Sequence, residues 1–274
     1  MDYKPLVSIV TPSFNQAEFL ENTIKSVLEQ DYPNIEYFVM DGGSNDGSVE
    51  IIKKYNDKIT YWVSEKDKGQ SDAINKGWKL SKGSILCYLN SDDFLAPGAI
   101  SKVVKYFNLN RDAAIIHGDC IFIDTQNKQL GAGKGASTSY KQLLINGQYR
   151  YIFQPSSFYN SELVKKAGYI DESLHLSMDY DLLVKLSKLS YSVYIPENLS
   201  FFRLHKNTKS STLAERHWRE TLSIIFRQDR FLILKPFFRY LRFRMFNSLP
   251  VSLKMFIRKK RNSVNDWVLI ENQP

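Results

Sequence analysis

The strongest constraint on the fold lies in the first ninety residues, where short apolar runs alternate with helical stripes. Residues 6–10, LVSIV, read as a buried strand that ends at Pro12 in a polar loop with Ser13 and Asn15. Phe19, Leu20, Ile24, Val27 and Leu28 then share one stripe of a helix. Pro33 and Asn34 punctuate, residues 35–40 form a second strand, and residues 41–47, DGGSNDG, form a loop. Ser48 is placed to cap a helix carrying Val49, Ile52 and Tyr55, and residues 59–63 are a third strand. Residues 71–80 are helical with Ser71 as cap, Gly83 closes that helix, and residues 84–89 are a fourth strand. This order requires right-handed crossovers and a parallel sheet. Such sheets take ligands in the crevice beyond the carboxyl ends of their strands. The loops at 11–15, 41–47 and 90–93 are therefore expected to converge in space.

Beyond Pro97 the pattern loosens. A helix over 98–107 precedes strands at 113–117 and 120–124, and residues 125–138 are turn-rich, with Gly131, Gly133 and Gly135. Ser177 is placed to cap a helix with Met178, Leu182, Leu183, Leu186 and Leu189 on one face; residues 191–195 and 201–204 look like strands. Cys87 and Cys120 both sit in β-like runs, which fits reduced, buried thiols rather than a disulfide framework. No apolar run approaches the roughly 18 residues that span a bilayer, and the N-terminal residues lack the pattern of a signal peptide, so a cytoplasmic protein is expected.

Five segments carry candidate chemistry. Asn90-Ser91-Asp92-Asp93 follows a strand directly; adjacent carboxylates there repel, and a divalent cation relieves the repulsion. Few hard oxygen ligands suit Mg²⁺ or Mn²⁺, which complete their shell with water and phosphate. Taken alone, the stretch reads at least as well as a solvated turn. The 41–47 loop feeds a helix N-terminus that favours an anion, and Asp41 is placed to accept hydrogen bonds from a base or ribose. It is neither a P-loop nor the dinucleotide fingerprint, and a tight turn explains it equally well. Residues 67–77, DKGQSDAINKG, put Asn75 and Gly77 where helix propensity argues against them, which suggests a site or a frayed first turn. Asp179 and Asp181 fall in the first turn of a helix, where the dipole favours their ionised forms. An ionised aspartate can take the proton of an attacking hydroxyl, although acidic residues in a first turn are also ordinary capping chemistry. Residues 201–211 run from a strand into a basic loop, placing Arg203, His205 and Lys209 to meet phosphate or simply to face water.

In order, TPSFN, DGGSNDGS, DKGQSDAINKG, LNSDD, MDYDL and RLHKNTKSS resemble the family 2 glycosyltransferases over residues 6 to about 212. The resemblance implies an α/β GT-A fold: a Rossmann-like, mostly parallel sheet flanked by helices. It further implies inverting, metal-dependent transfer of a sugar from a nucleotide-diphosphate donor. On this likeness Thr11, Pro12, Asn15, Asp41, Ser44, Asp67, Gly69, Asp72 and Asn75 surround the nucleotide. Asn90 and Ser91 open the segment that matches the metal-binding motif, where the first residue meets ribose or metal-bound water, and His205 lies near the diphosphate or metal. Asp92 and Asp93 correspond to the metal-binding motif, with Asp92 the principal ligand, and Asp179 falls where the family carries its catalytic base. Asn90 stands where that motif begins with Asp, and Ile74 where many members have Arg. The expected organisation is a catalytic domain over 1–212, with a nucleotide-sugar half at 1–110 and an acceptor half at 111–212. A nucleotidyltransferase is the alternative enzyme, but TPSFNQ supplies no phosphate-cradling loop; a catalytically silent nucleotide-sugar-binding protein is the other.

The charge is local. Residues 213–274 hold 13 Lys and Arg against 5 Asp and Glu, whereas residues 1–212 hold 24 of each, so the net +8 belongs to the end of the chain. There, cations interleave with bulky apolar side chains such as Phe231, Phe237, Phe238, Tyr240, Phe243 and Phe246; Pro236 and Pro250 divide the segment into short helices, and Arg258 to Arg261 form a basic cluster. A cationic amphipathic appendage of this kind lies at an anionic membrane surface. Packing against the catalytic domain with snorkelling arginines is the other reading, and nucleic acid a weaker one. The combined expectation is a peripheral enzyme on the inner face of the cell membrane, extending a lipid-linked surface polysaccharide.

Overall fold

The computed structural model describes residues 4–147, 151–205 and 214–249. In chain order the strands and helices are β1 (Val7–Ser13), α1 (Ala17–Leu28), β2 (Ile35–Asp41), α2 (Ser48–Lys54), β3 (Tyr61–Ser64), α3 (Gln70–Leu80), β4 (Ile85–Tyr88), β5 (Phe94–Leu95) and α4 (Ala99–Leu109). There follow β6 (Ile115–Ile123), β7 (Gln129–Gly133), α5 (Tyr140–Asn146), β8 (Ser157–Asn160), α6 (Ser161–Ala167), α7 (Met178–Leu189), β9 (Ser192–Arg203), α8 (Ala214–Gln228) and α9 (Leu234–Ser248). One sheet runs β3-β2-β1-β4-β8-β6-β9-β5, with β7 hydrogen-bonded to β6. The expected parallel arrangement holds across β3, β2, β1 and β4; β8 then enters antiparallel between β4 and β6, and β9 returns parallel to β6.

The central strands are apolar on both faces because each face has its own core. Val7, Ile9, Tyr37, Val39, Ile85 and Cys87 point to the layer holding α1 and α4; Val10, Phe38, Met40, Leu86 and Tyr88 point to the layer holding α3 and α7. Helix α8 belongs to the second layer, where Ile224 and Ile225 are fully buried, so this part of the basic C-terminal segment is built into the core. Cys87 and Cys120 are free buried thiols.

Several local expectations are corrected. Strand β1 continues through Thr11 and Pro12 to Ser13, pairing Pro12 with Met40; its ladder to β4 stops at Val10, so Pro12 interrupts no bond on that side. The two strands expected around residue 118 are one strand, as are the two expected between 191 and 204. Register shifts on both sides of Asp119 let β9 carry Pro196 and Glu197 as an unpaired bulge. Gly118 permits this, since a Cβ there would lie 2.6 Å from the Leu199 side chain. Gly77 also has a structural use: a Cβ would lie 2.6 Å from Val10, so its bare backbone lets α3 settle onto β1.

Candidate functional site

At the carboxyl ends of β1 and β2 the first two loops are zipped together. Gly42 N–H donates to Ser13 O at 2.8 Å, Asn15 N–H to Ser44 Oγ at 2.8 Å, and Asn45 N–H to Asn15 Oδ1 at 3.0 Å. Asn15 has φ of 51°, a left-handed conformation that asparagine tolerates. Ala17 N–H donates to Asp46 at 2.8 Å and Gln16 N–H to Ser48 at 3.2 Å, so the Ser48 hydroxyl serves this junction instead of capping α2.

The Asp41 carboxylate accepts from Gly43 N, Ser44 N, Ser44 Oγ and Ser64 Oγ at 2.5 to 3.2 Å. A carboxylate offers about four acceptor sites. Asp41 shapes its own loop with three of these bonds on Oδ2, so its expected contact to a base or ribose would have to be made through Oδ1, beside the Ser44 hydroxyl. Thr11 is likewise internal: it is fully buried, with its hydroxyl 2.9 Å from Tyr37 Oη, and Pro12 is buried beside it in the strand.

Asp67 stands at the lip of the crevice. Its carboxylate accepts from Gly69 N at 2.8 Å, and a Cβ on Gly42 would lie 2.9 Å from its Oδ2 and 3.3 Å from the Phe14 ring. Gly69 holds φ of 115°, which only glycine adopts without strain, and it opens α3. Phe14, 60% exposed at the end of β1, was not singled out by the sequence reading. An exposed aromatic between two zipped loops and an aspartate is a platform for a planar ring. The signal was available: a large aromatic in a loop otherwise made of small polar residues.

Helix α3 begins between the two remaining loops. Asp72 accepts from Lys68 N at 3.0 Å and pairs with Lys76 at 3.2 Å, so it is Asp72 that serves the helix start. The Ser71 hydroxyl lies 2.7 Å from Met178 Sδ, at the start of α7. Asn75 is used in full on the 170–172 loop: it donates to Ile170 O and Glu172 at 2.9 Å and accepts from Ile170 N at 3.1 Å. Ile74 is fully buried in the core. Gln70 donates to Asn90 Oδ1 at 2.7 Å, and Asn90 donates to Gln154 at 3.1 Å, so Asn90 belongs to a chain of amides.

The Asn90–Asp93 turn is held from below. Thr23 Oγ1 donates to the carbonyls of Ser91 and Asp93, at 3.0 and 2.6 Å. Arg203 Nε donates to Asp92 O at 2.9 Å, its Nη1 to Asp124 O at 2.8 Å, and its guanidinium lies 4.5 Å over the Phe19 ring. Arg203 is 1% exposed, which corrects its expected contact with phosphate. Asp93, expected as a second metal ligand, lies deeper than Asp92. Asp93 is 1% exposed, one oxygen accepts from Arg203 N at 2.9 Å, and the other is buried without a partner. Burial, with the Asp92 charge beside it, pushes the Asp93 carboxyl well above the usual carboxylate range.

Asp92 remains at the surface. Its side chain is 20% exposed, and its Oδ2 lies 3.0 Å from Nε2 of His205, itself 10% exposed and tilted against Phe19. His205 lines a cleft of about 540 Å³ together with Asn15, Gln16, Asp46 and Asp124. Among the described residues, no three His, Cys, Asp or Glu side chains converge as a metal cluster. Asp92 offers the hard carboxylate oxygen that Mn²⁺ and Mg²⁺ take, and the His205 imidazole beside it is a nitrogen donor that suits Mn²⁺ better than Mg²⁺, with phosphate and water to complete the shell. Lys209 lies outside the described residues.

Asp179 sits in the first turn of α7, half-buried, with Tyr180 N–H donating to its Oδ1 at 2.8 Å. Burial pushes the Tyr159 phenol well up, with the Cys87 thiol and the Asp179 charge adding to the shift. Asp181 is a different kind of group: buried and 2.6 Å from Lys185. The turns bearing Asp92 and Asp179 thus touch the same turn of α3, one through Gln70–Asn90 and the other through Ser71–Met178. A second cleft, of about 580 Å³, opens beside Tyr140 and Tyr191 and is lined by hydroxyls, without a carboxylate.

The chain matches the family model described as Glycosyl transferase family 2 over residues 8–168. It is 32% identical over 242 residues to a Rickettsia typhi protein named an uncharacterized glycosyltransferase, covering 84% of this chain and 76% of that one. A Haemophilus influenzae protein of the same description is 28% identical over 245 residues, covering 86% and 94%. Among solved structures, S. aureus TarS in complex with UDP-GlcNAc superposes with a TM-score of 0.64 at 17% identity, over 81% of this chain and 66% of that one. The Pyrobaculum calidifontis mannosyltransferase PcManGT, in complex with GDP-Man and Mn²⁺, gives 0.64 at 14% identity, over 98% and 85%. Both likenesses are of fold, and the fold is GT-A. With more than half its length matching the family model, this chain belongs to glycosyl transferase family 2.

Proposed function

We propose that this chain is an inverting glycosyltransferase that moves a sugar from a nucleotide-diphosphate donor to a hydroxyl of a glycan acceptor. The observation that supports the reading is that the turn bearing Asp92, which pairs with His205, and the turn bearing Asp179 both attach to the first turn of α3, through Asn90 on Gln70 and Met178 on Ser71. Phe14, Gly42 and Asp67 offer a site for the nucleoside, with the aromatic face stacking a base. Asp92 and His205 would hold a divalent cation, which supplies charge neutralisation for the departing diphosphate. Asp179 takes the acceptor's hydroxyl proton as that oxygen bonds to the anomeric carbon. The bond from that carbon to the diphosphate oxygen breaks on the opposite face, and its electron pair leaves with the diphosphate. One carboxylate suffices because the leaving group needs no proton, unlike the paired carboxylates of glycoside hydrolysis.

The acceptor setting we infer is a lipid-linked surface polysaccharide at the cytoplasmic face of the membrane, with the basic C-terminal segment as the attachment. Between Arg230 and Arg261 there are ten Lys and Arg and no Asp or Glu. Among the described residues no helix is long and apolar enough to cross a membrane, so the attachment would be peripheral. The test of the chemistry is a thermal-shift panel of nucleotide sugars with and without Mn²⁺. A donor that stabilises the wild type only with metal should lose that effect in Asp92→Ala and keep it in Asp179→Asn, while Asp179→Asn loses about 10²–10⁴-fold in turnover. Near-wild-type turnover by Asp179→Asn would remove Asp179 as the base.

A further inference from the structure

Helix α7 starts without the cap its sequence offers. Ser177 is in the capping position, but its hydroxyl donates to His217 O at 3.2 Å and lies 3.3 Å from Thr221 Oγ1, both on α8. The backbone of the segment turns to α8 as well. Glu220 Oε2 accepts from the N–H groups of His175, Leu176 and Ser177, at 3.2, 2.9 and 3.0 Å. Three successive amides closing on one anion form a nest. The Glu220 side chain is 12% exposed, and its other oxygen takes Arg216 Nε at 3.1 Å. Burial works against its charge, but the three N–H bonds and Arg216 outweigh it and hold the carboxyl below the ordinary glutamate range.

The clamp has a rigid base. Ile224 and Ile225 anchor α8 in the core, and Trp218 and Thr221 are buried. On the other side, Ser71 of α3 reaches Met178. The segment that ends in Asp179 is therefore gripped between α3 and α8. We propose that Glu220, in a helix beyond the region matched by the family model, is a positioning residue that sets the place of Asp179. The proposal rests on the reading of Asp179 as the base.

The test uses the full chain, with UDP-GlcNAc and GDP-mannose in Mn²⁺ as probes and released nucleoside diphosphate as the readout. Glu220→Ala frees three N–H groups and should raise hydrogen exchange across 174–180 while leaving residues 85–93 unchanged. Displacing a base by an ångström costs about a hundredfold, so turnover should fall at least about tenfold, with calorimetric donor affinity within about twofold of wild type. Glu220→Gln retains an acceptor oxygen and should recover most of that turnover, a rescue that also answers any misfolding of the alanine variant. Unchanged exchange across 174–180 in Glu220→Ala overturns the proposal and decides alone if neither donor is turned over; turnover within twofold of wild type overturns it too. Asp179→Asn runs beside these variants. If it alone keeps full turnover, the base assignment fails, and the exchange data still judge the clamp.

Discussion

The usefulness of an acidic side chain at this site depends on how many donors already hold it. Asp41 is held by four donors, Asp93 is sealed beneath Arg203, and Asp181 is buried against Lys185, whereas Asp92 and Asp179 are partly exposed. Sequence spacing put all five in plausible places. Separating them required tertiary burial, which no local pattern encodes. The exposed platform at Phe14 makes a direct prediction. Base–aromatic stacking contributes about 1–3 kcal/mol, so Phe14→Ala should weaken binding of the nucleoside diphosphate by roughly ten- to hundredfold by calorimetry, and Phe14→Tyr should not. His117 makes another, remote from the site. It is fully buried, neither ring nitrogen has a hydrogen-bond partner, and burial holds its pKa down to about 4 against the ordinary 6.5, with Asp119 pulling slightly the other way. The unfolded chain takes a proton near pH 6.5 while the folded chain does not. This contribution to stability is thus whole above pH 6.5 and is lost as the pH falls toward 4, by up to about 3 kcal/mol. Urea melts of His117→Phe should show a shallower decline between pH 7 and pH 4.5 than wild type; parallel declines would mean that the folded protein protonates His117 freely.

At the level of elements, the alternation of buried strands and amphipathic helices was readable because each central strand faces two cores and so is apolar throughout. The reading weakened between 125 and 175 for physical reasons. Strand β8 is SFYN, too short and mixed to register as an apolar run, yet it sits mid-sheet because β4 and β6 bracket it. Helix α5 did carry a local signal, the Ser139–Gln142 capping box. Ser48, Ser71 and Ser177 looked like caps and are cross-links, each hydroxyl engaged by another segment. A serine's side chain is decided by its neighbours in space. The α3–β1 contact tests whether Gly77 is present for packing. Gly77→Ala gains up to about 1 kcal/mol of helix propensity but drives a methyl into Val10, and overpacking costs about 1–3 kcal/mol. A net loss of Tm is expected, and Val10→Ala in the same chain should recover part of it. Additive losses in that double-mutant cycle would show that the two residues do not compete for space.

For the molecule as a whole, the basic C-terminal segment divides into parts with different roles. Helix α8 completes the core and holds the segment leading to Asp179, whereas α9 is packed on one side only. Its inner side rests on the domain: Pro236 packs beside Gly147, Tyr240 is buried near Trp218, and Arg239 donates to Asn146 O at 2.6 Å. Phe231, 75% exposed, lies just before the helix, and the outer side carries Leu234, Phe238, Leu241 and Met245, between 36% and 69% exposed. Their spacing of three and four residues draws a single stripe. Arg230, Lys235, Arg242 and Arg244 are exposed along its borders. A second copy of the helix laid on this stripe would bring cation against cation with no acidic side chain to relieve them, which disfavours self-association. An anionic bilayer offers the complementary charge, at about 1 kcal/mol per cation near the surface, and a hydrocarbon edge for the aromatic stripe. The full chain should therefore float with vesicles containing phosphatidylglycerol, bind phosphatidylcholine vesicles weakly, and release as salt is raised. Phe238→Glu with Leu241→Glu should abolish flotation while Mn²⁺-dependent thermal stabilisation by the donor persists, because those side chains lie on the face turned away from the core. A wild-type chain that ignores anionic vesicles and instead sediments as a dimer that this double substitution dissociates would assign the stripe to a second copy of the protein.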